Sequence, residues 1–283
     1  MIHIITDTTA NLPQEVLDQY GIPLVPQYVH FGEETLRDSF DISPAAFYAR
    51  QAAASELPKT SAPSPADFAP HFSRIQSEDP GGTVLCIHPS SEVSGTVRSA
   101  RLAAAEFPDL DIRIFDTRSV SLGLGLMVWE AARMVCDGAG VEAVLKRLQY
   151  MRDHMQTYFV VDTLEYLAKG GRIGRAQHLL GTLLDIKPIL TLVDGVVESH
   201  SRARTRTRAI AAIRDLILQQ AQGKPRLQLG VAHAVCEEEG RALCNDLATA
   251  LNPETTLFAE IGPSIGVHAG PGTLAACWVS LPD

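Results

Sequence analysis

No disulfide framework, zinc ribbon or nucleotide fingerprint can be assembled from these 283 residues. Cysteine is scarce: Cys86, Cys136, Cys236, Cys244 and Cys277 are odd in number and form no C-x-x-C pair, which suits a reducing, cytoplasmic compartment. Positive charge is short as well. Lys and Arg number 24 against 33 Asp and Glu, a net charge of -9, the wrong sign for holding nucleic acid through counterion release. The most apolar helical stretch, 120–135, is interrupted by Glu130 and Arg133 and falls short of a membrane span of ~20 residues, so no stable membrane insertion is expected. The opening Met1-Ile2-His3-Ile4-Ile5-Thr6-Asp7 lacks a basic segment and reads as a strand, not as a secretory leader. Internal repeats and low-complexity segments are also missing.

Several chemical fingerprints fail at named positions. Gly123-Leu124-Gly125 begins a dinucleotide motif, but Val128 stands where the third glycine belongs. Lys169-Gly170-Gly171-Arg172-Ile173-Gly174-Arg175 is glycine-rich and basic without P-loop order, and reads as a tight turn or a phosphate contact. His233 and Cys236 have a spacing that metals use, yet no second pair accompanies them, so no metal is expected. A nucleophile elbow needs G-x-S-x-G, and around Ser94 the two glycine places hold Glu92 and Thr96.

What is present is an alternation of strand and helix signals in the first half. Short apolar runs at 2–6, 24–31, 83–88 and 112–115 read as strands. Between and after them, helices are expected over 13–20, from Ser64-Pro65-Ala66-Asp67 toward Ile75, over 98–107 and around 124–135. Asn11 is placed as the cap of the first helix and Gly21 as its left-handed end; the Ser64 to Asp67 spacing is that of a capping box. Strands and helices alternating in this way indicate βαβ units and a parallel sheet flanked by helices.

After Gly138-Ala139-Gly140 and a helix over 141–154 the pattern changes. Strands at 188–193 and 196–201 are joined by Asp194-Gly195, a two-residue hairpin signal, and further strands are read at 226–234 and 274–280, with helices over 209–221 and 237–251. The fold class is therefore α/β with two domains: an N-terminal one over 1–155 with a parallel sheet, and a C-terminal one over 156–283 with a mixed sheet. Arg202, Arg204, Arg206 and Arg208 alternate, so an extended segment would turn all four to one side.

Three polar segments carry the chemistry. Thr60-Ser61 lies on the approach to a helix, where its hydroxyls serve either a ligand or ordinary turn bonding. Ser94 and Gly95 stand at a strand-to-helix junction, where free N–H groups and the helix dipole favour an anion; the plain alternative is that Ser94 caps the helix. His268, among Gly266, Gly270 and Gly272, offers an imidazole that can donate to an anion. Ser94 and His268 also admit an acyl hydrolase reading.

Taken in order, Ile4-Ile5-Thr6-Asp7-Thr8-Thr9-Ala10-Asn11-Leu12-Pro13, Thr60-Ser61-x-Pro63-Ser64, Ser91-x-x-Ser94-Gly95-Thr96-x-x-Ser99-Ala100, Tyr166-Leu167-x-Lys169-Gly170-Gly171-Arg172-Ile173, Lys187-Pro188-Ile189-Leu190 and Gly266-x-His268-x-Gly270-Pro271-Gly272 resemble the DegV family of bacterial fatty-acid-binding proteins. The resemblance implies a non-catalytic carrier that holds one long-chain fatty acid, such as palmitate, in a tunnel between the domains, in lipid transport or fatty-acid metabolism. It implies that Thr60, Ser94, the Gly95 amide and His268 contact the carboxylate. It further implies presentation of that carboxylate to a separate fatty-acid kinase, with Arg204 as the counterpart of a family arginine, and Ser61 and Arg172 as other headgroup or partner contacts. The family's Val-Arg-x-Arg-Lys-Lys run departs here, reading Ala203-Arg204-Thr205-Arg206-Thr207-Arg208. Apart from the fatty acid, no cofactor is expected.

Overall fold

The structure is a computed structural model and describes residues 1–180 and 186–282. Its first strands are β1 (Ile2–Asp7), β2 (Leu24–Val25), β3 (Tyr28–Phe31), β4 (Glu34–Arg37), β5 (Lys59–Ser61), β6 (Thr83–His88) and β7 (Asp111–Asp116). They build a sheet ordered β2-β1-β6-β7, parallel throughout as expected, and a small antiparallel sheet ordered β4-β3-β5. The small sheet departs from the sequence reading, because the run 24–31 is not one strand. Pro26 has no N–H to give to a ladder, so the chain leaves β1 after Val25 and re-pairs from Tyr28 with β4 and β5.

The helices of this half are α1 (Gln14–Tyr20), α2 (Pro44–Ala53), α3 (Pro65–Glu78), α4 (Thr96–Ala104), α5 (Leu122–Cys136) and α6 (Val141–His154). Gly21 closes α1 at φ +60°, whereas Asn11 does not cap it: Asn11 sits at φ +49° and ends a short 3-10 turn over Thr8–Ala10. Asparagine tolerates that left-handed geometry, which makes it a terminator here. At α3 the carboxylate of Asp67 accepts from both the N–H and the hydroxyl of Ser64 at 2.7 Å.

The second half forms one mixed sheet from β8 (Gln156–Val160), β9 (Lys187–Val193), β10 (Val196–Ala203), β11 (Leu227–His233), β12 (Thr255–Glu260) and β13 (Leu274–Ser280), ordered β10-β9-β8-β13-β11-β12. β11 and β12 pair in parallel and the other neighbours antiparallel. Asp194 and Gly195 adopt φ +52° and +81°, the left-handed pair that a tight hairpin requires. The hairpin tip reaches the first half, where Ser90 Oγ donates to Gly195 O at 2.9 Å. The helices here are α7 (Glu165–Lys169), α8 (Arg206–Ala221), α9 (Glu237–Leu251) and α10 (Pro263–Ala269).

The condition for an arginine stripe, an extended segment through Arg208, is not met. Thr205 caps α8 through a bond from the Arg208 N–H, so the extended strand has already ended when Arg206 begins the helix. Arg206 is instead partly buried and paired with Glu239 and Asp162.

α5 explains its own composition. It contacts β1 and β6 on one side and β11 and β13 on the other, and Leu124, Leu126, Met127 and Val128 are all fully buried. A helix covered all round has no polar face to keep. Its apolar length therefore reflects a position between two sheets, and among the described residues no helix is long and apolar enough to cross a membrane.

Candidate functional site

Where the two halves meet, a cavity of about 160 Å³ opens beside the first turn of α5. A single water needs only ~10–15 Å³ by the same measure, so the space accepts an extended ligand. Its wall is mostly apolar, with Leu122, Phe159, Leu167, Leu192, Val197 and Ile265 drawn from both halves. Thr60, Ser94, Gly95 and His268, up to 208 residues apart, all line it.

Thr60 arrives on β5. Alternation along a strand sends its hydroxyl to the cavity and that of Ser61 the other way, where Ser61 Oγ lies 2.9 Å from His30 Nε2. Of the two hydroxyls read together in the sequence, the structure therefore brings one to the site. Thr60 Oγ1 lies 2.7 Å from His268 Nε2. His268 Nδ1 is buried and, among the described residues, has no hydrogen-bond partner, so a proton there would be unsatisfied. The proton belongs on Nε2, donating to Thr60, which leaves the Thr60 hydroxyl proton for the cavity.

His268 sits in the last turn of α10, an element the glycines had hidden from the sequence reading. Gly170 explains how it fits: a Cβ there would lie 2.2 Å from His268 Nδ1, so only glycine lets the basic turn pass this close to the ring. At the other end of α10, buried Asp38 accepts from the Ser264 N–H at 3.0 Å. Asp38 thus anchors the helix that carries His268, and no local sequence signal announces it.

Burial, reinforced by the nearby Arg172 guanidinium, pushes the His268 pKa down to about 4. The imidazole is neutral near pH 7. Because the folded value lies below the ordinary one, the unfolded chain binds more protons between pH ~6.5 and ~4, and stability falls as the pH drops through that window. At about 1.4 kcal/mol per unit, the loss from pH 6.5 to 5 is about 2 kcal/mol from this group. Urea unfolding of the ligand-free protein at both pH values should show that difference shrink by about that amount in His268→Gln. Equal pH dependence in the two proteins would contradict the assignment.

Ser94 and Gly95 precede α4. Ser94 Oγ lies 2.8 Å from Thr96 Oγ1 and accepts from the Thr96 N–H at 3.3 Å, while the Gly95 N–H has no partner among the described residues. Ser94 does not cap the helix: Gly95 holds that position without a side-chain bond, Ser94 closes only a local turn with Thr96, and both residues line the cavity. Arg172 also lines the cavity, its Nε donating to Val93 O at 3.0 Å and its Nη1 to Gly170 O at 2.7 Å. Arg204 is exposed and lies outside the lining.

Together these groups present hydroxyl and amide donors, a neutral imidazole and one guanidinium at the wall of an apolar space. No hydrogen bond joins Ser94 to His268 among the described residues, and none joins His268 to a carboxylate. The described residues contain no group of three or more metal-ligating side chains. Thr9, Gln27 and Ser264 line the same cavity and were not singled out from sequence.

A model of the DegV family matches residues 1–281. A DegV domain-containing protein of Deinococcus radiodurans is 36% identical over 273 residues, covering 96% of each chain. Among solved structures, a DegV family protein from Thermus thermophilus, described for its fatty acid binding, is 39% identical with a TM-score of 0.93 over 99% of both chains. DegV of Bacillus subtilis, described as a fatty acid binding protein, is 32% identical with a TM-score of 0.90 over 99% of both. On the family model and these relatives, the chain belongs to the DegV family.

Proposed function

We propose that this protein binds one long-chain fatty acid, with the tail in the apolar cavity and the carboxylate held by Thr60, Ser94 and the Gly95 amide, while His268 donates to Thr60 and turns its hydroxyl proton to the head. The observation that carries the reading is the cavity itself, in which one cluster of hydrogen-bond donors meets a wall of Leu, Ile, Val and Phe side chains. The fatty-acid binding described for the T. thermophilus and B. subtilis relatives supports it. The division into domains 1–155 and 156–283, with the tail between them, follows the same reading.

Magnitudes favour a tail-driven complex. About 15 methylenes at about 0.8 kcal/mol each give about 12 kcal/mol gross, against several kcal/mol for association and for desolvating the carboxylate. The donors then fix the head and its orientation. Arg204, exposed and without an ion-pair partner among the described residues, is free to meet a kinase that phosphorylates the presented carboxylate. The acyl hydrolase alternative has no support in the geometry, because Ser94 is bonded to Thr96 and His268 to Thr60.

Calorimetric titration of the delipidated protein with palmitate and with methyl palmitate tests the head assignment. The acid should bind at least about tenfold more tightly, since the ester loses charge-assisted hydrogen bonds. Equal affinity for the two ligands would remove the proposed clamp.

A further inference from the structure

Which hydrogen-bonding face Ser94 shows a ligand is decided by residues behind it that the headgroup clamp does not include. Asp7 is wholly buried and accepts from the Thr9 N–H at 3.0 Å, from Thr9 Oγ1, from Gln27 Nε2 at 3.1 Å and from His88 Nδ1 at 2.7 Å. A carboxylate in such a bond set only accepts, so the Gln27 group facing it is the amide nitrogen and not the oxygen. The same nitrogen lies 2.8 Å from Thr96 Oγ1 and spends its second proton there.

Thr96 Oγ1, itself fully buried, then has one proton of its own to place, and the remaining partner in reach is Ser94 Oγ at 2.8 Å. Were Ser94 to donate to Thr96 instead, the Thr96 proton would be buried without an acceptor, a disfavoured arrangement. Thr96 therefore donates. Ser94 Oγ accepts from both the hydroxyl and the N–H of Thr96, and its own proton is left for the cavity.

We infer that Asp7 and Gln27 are positioning residues that order the protons along Gln27, Thr96 and Ser94, so that Ser94 meets the ligand as a donor and selects a carboxylate over a hydroxyl headgroup. The inference rests on the fatty-acid reading and adds a source of headgroup selectivity to it. The three side chains are held to one another by bonds within the protein.

The test compares affinities for palmitate and 1-hexadecanol, which share a chain and differ at the head. In Asp7→Asn the amide nitrogen turned to Gln27 lets Gln27 present its oxygen to Thr96, Thr96 donates there and accepts from Ser94, and the ratio of acid to alcohol affinity should fall about tenfold while the alcohol binds within about twofold of the parent level. Adding Thr96→Val removes the competing acceptor and should restore most of the ratio; a purely structural role for Asp7 predicts that the double variant is worse for both ligands. An unchanged ratio in Asp7→Asn overturns this inference alone, whereas a parent protein that binds neither ligand overturns the fatty-acid reading with it. Neutron diffraction from the deuterated parent decides the matter without any variant: the deuteron between the two hydroxyls should be bonded to Thr96 Oγ1, and finding it on Ser94 Oγ refutes the order.

Discussion

Thr60→Val combined with Ser94→Ala should lower palmitate affinity about a hundredfold or more while the protein folds as the parent does. Each hydroxyl supplies one hydrogen bond to a charged acceptor, worth about 1.5–3 kcal/mol, so losing both removes about 3–6 kcal/mol. Neither change opens a large void, because Thr60 keeps its shape as valine and Ser94 is only partly buried. The single variants should each lose about tenfold to a hundredfold. Calorimetry with palmitate measures the effect, and urea unfolding shows that the fold is intact. Binding within threefold of the parent in the double variant would mean that the head lies elsewhere in the cavity.

Glu130→Ala should destabilise the protein by about 3–5 kcal/mol, the usual consequence of removing one member of a buried charged network. Glu130 is 1% exposed and accepts from Arg133 Nη2 at 2.8 Å, Arg147 Nη1 at 3.2 Å and Gln228 Nε2 at 3.0 Å. The carboxylate thus ties α5 to α6 and to β11 of the other sheet. Truncation strands the guanidinium of Arg147 and the amide of Gln228, whose own oxygen already lacks a partner among the described residues. Glu130→Gln keeps one acceptor and should lose less, while Glu142→Ala, at an exposed carboxylate, should change stability by less than about 0.5 kcal/mol. Urea midpoints rank the three; a loss below about 1 kcal/mol in Glu130→Ala would show that the network contributes little across the two halves.

Glu130 also shows what the sequence could and could not reveal. As a charge within an apolar helix it reads as an interruption of a membrane span, but beside Arg133 of its own helix its partners come from α6 and from β11, the latter nearly a hundred residues away. Long elements with clean periodicity were legible: β6, α6, α9 and β13 lie where their apolar patterns put them. Short or exposed ones were not. β4 has no buried residue, and α10 runs through Gly266 with only seven residues to signal a helix. The run 24–31 misled because Pro26 divides two strands that share one apolar pattern.

At the site, Thr60, Ser94, Gly95 and His268 were legible because hydroxyls, a glycine amide and an imidazole are conspicuous in polar segments of an otherwise apolar chain. Their supports were not. Gln27 is one of many glutamines until the turn at Pro26 carries it beside Asp7 and Thr96, and Gly170 looks like part of a basic turn until His268 packs against it. Such roles depend on distances between elements, which local sequence does not encode.

The most direct measurement is organic extraction of the purified protein followed by mass spectrometry, with the extracted protein then titrated with palmitate. Long-chain fatty acid approaching one molecule per chain in the extract, and saturable one-to-one rebinding afterwards, is the expected result. An extract without fatty acid, together with delipidated protein that takes up none, would contradict the proposed role of the cavity.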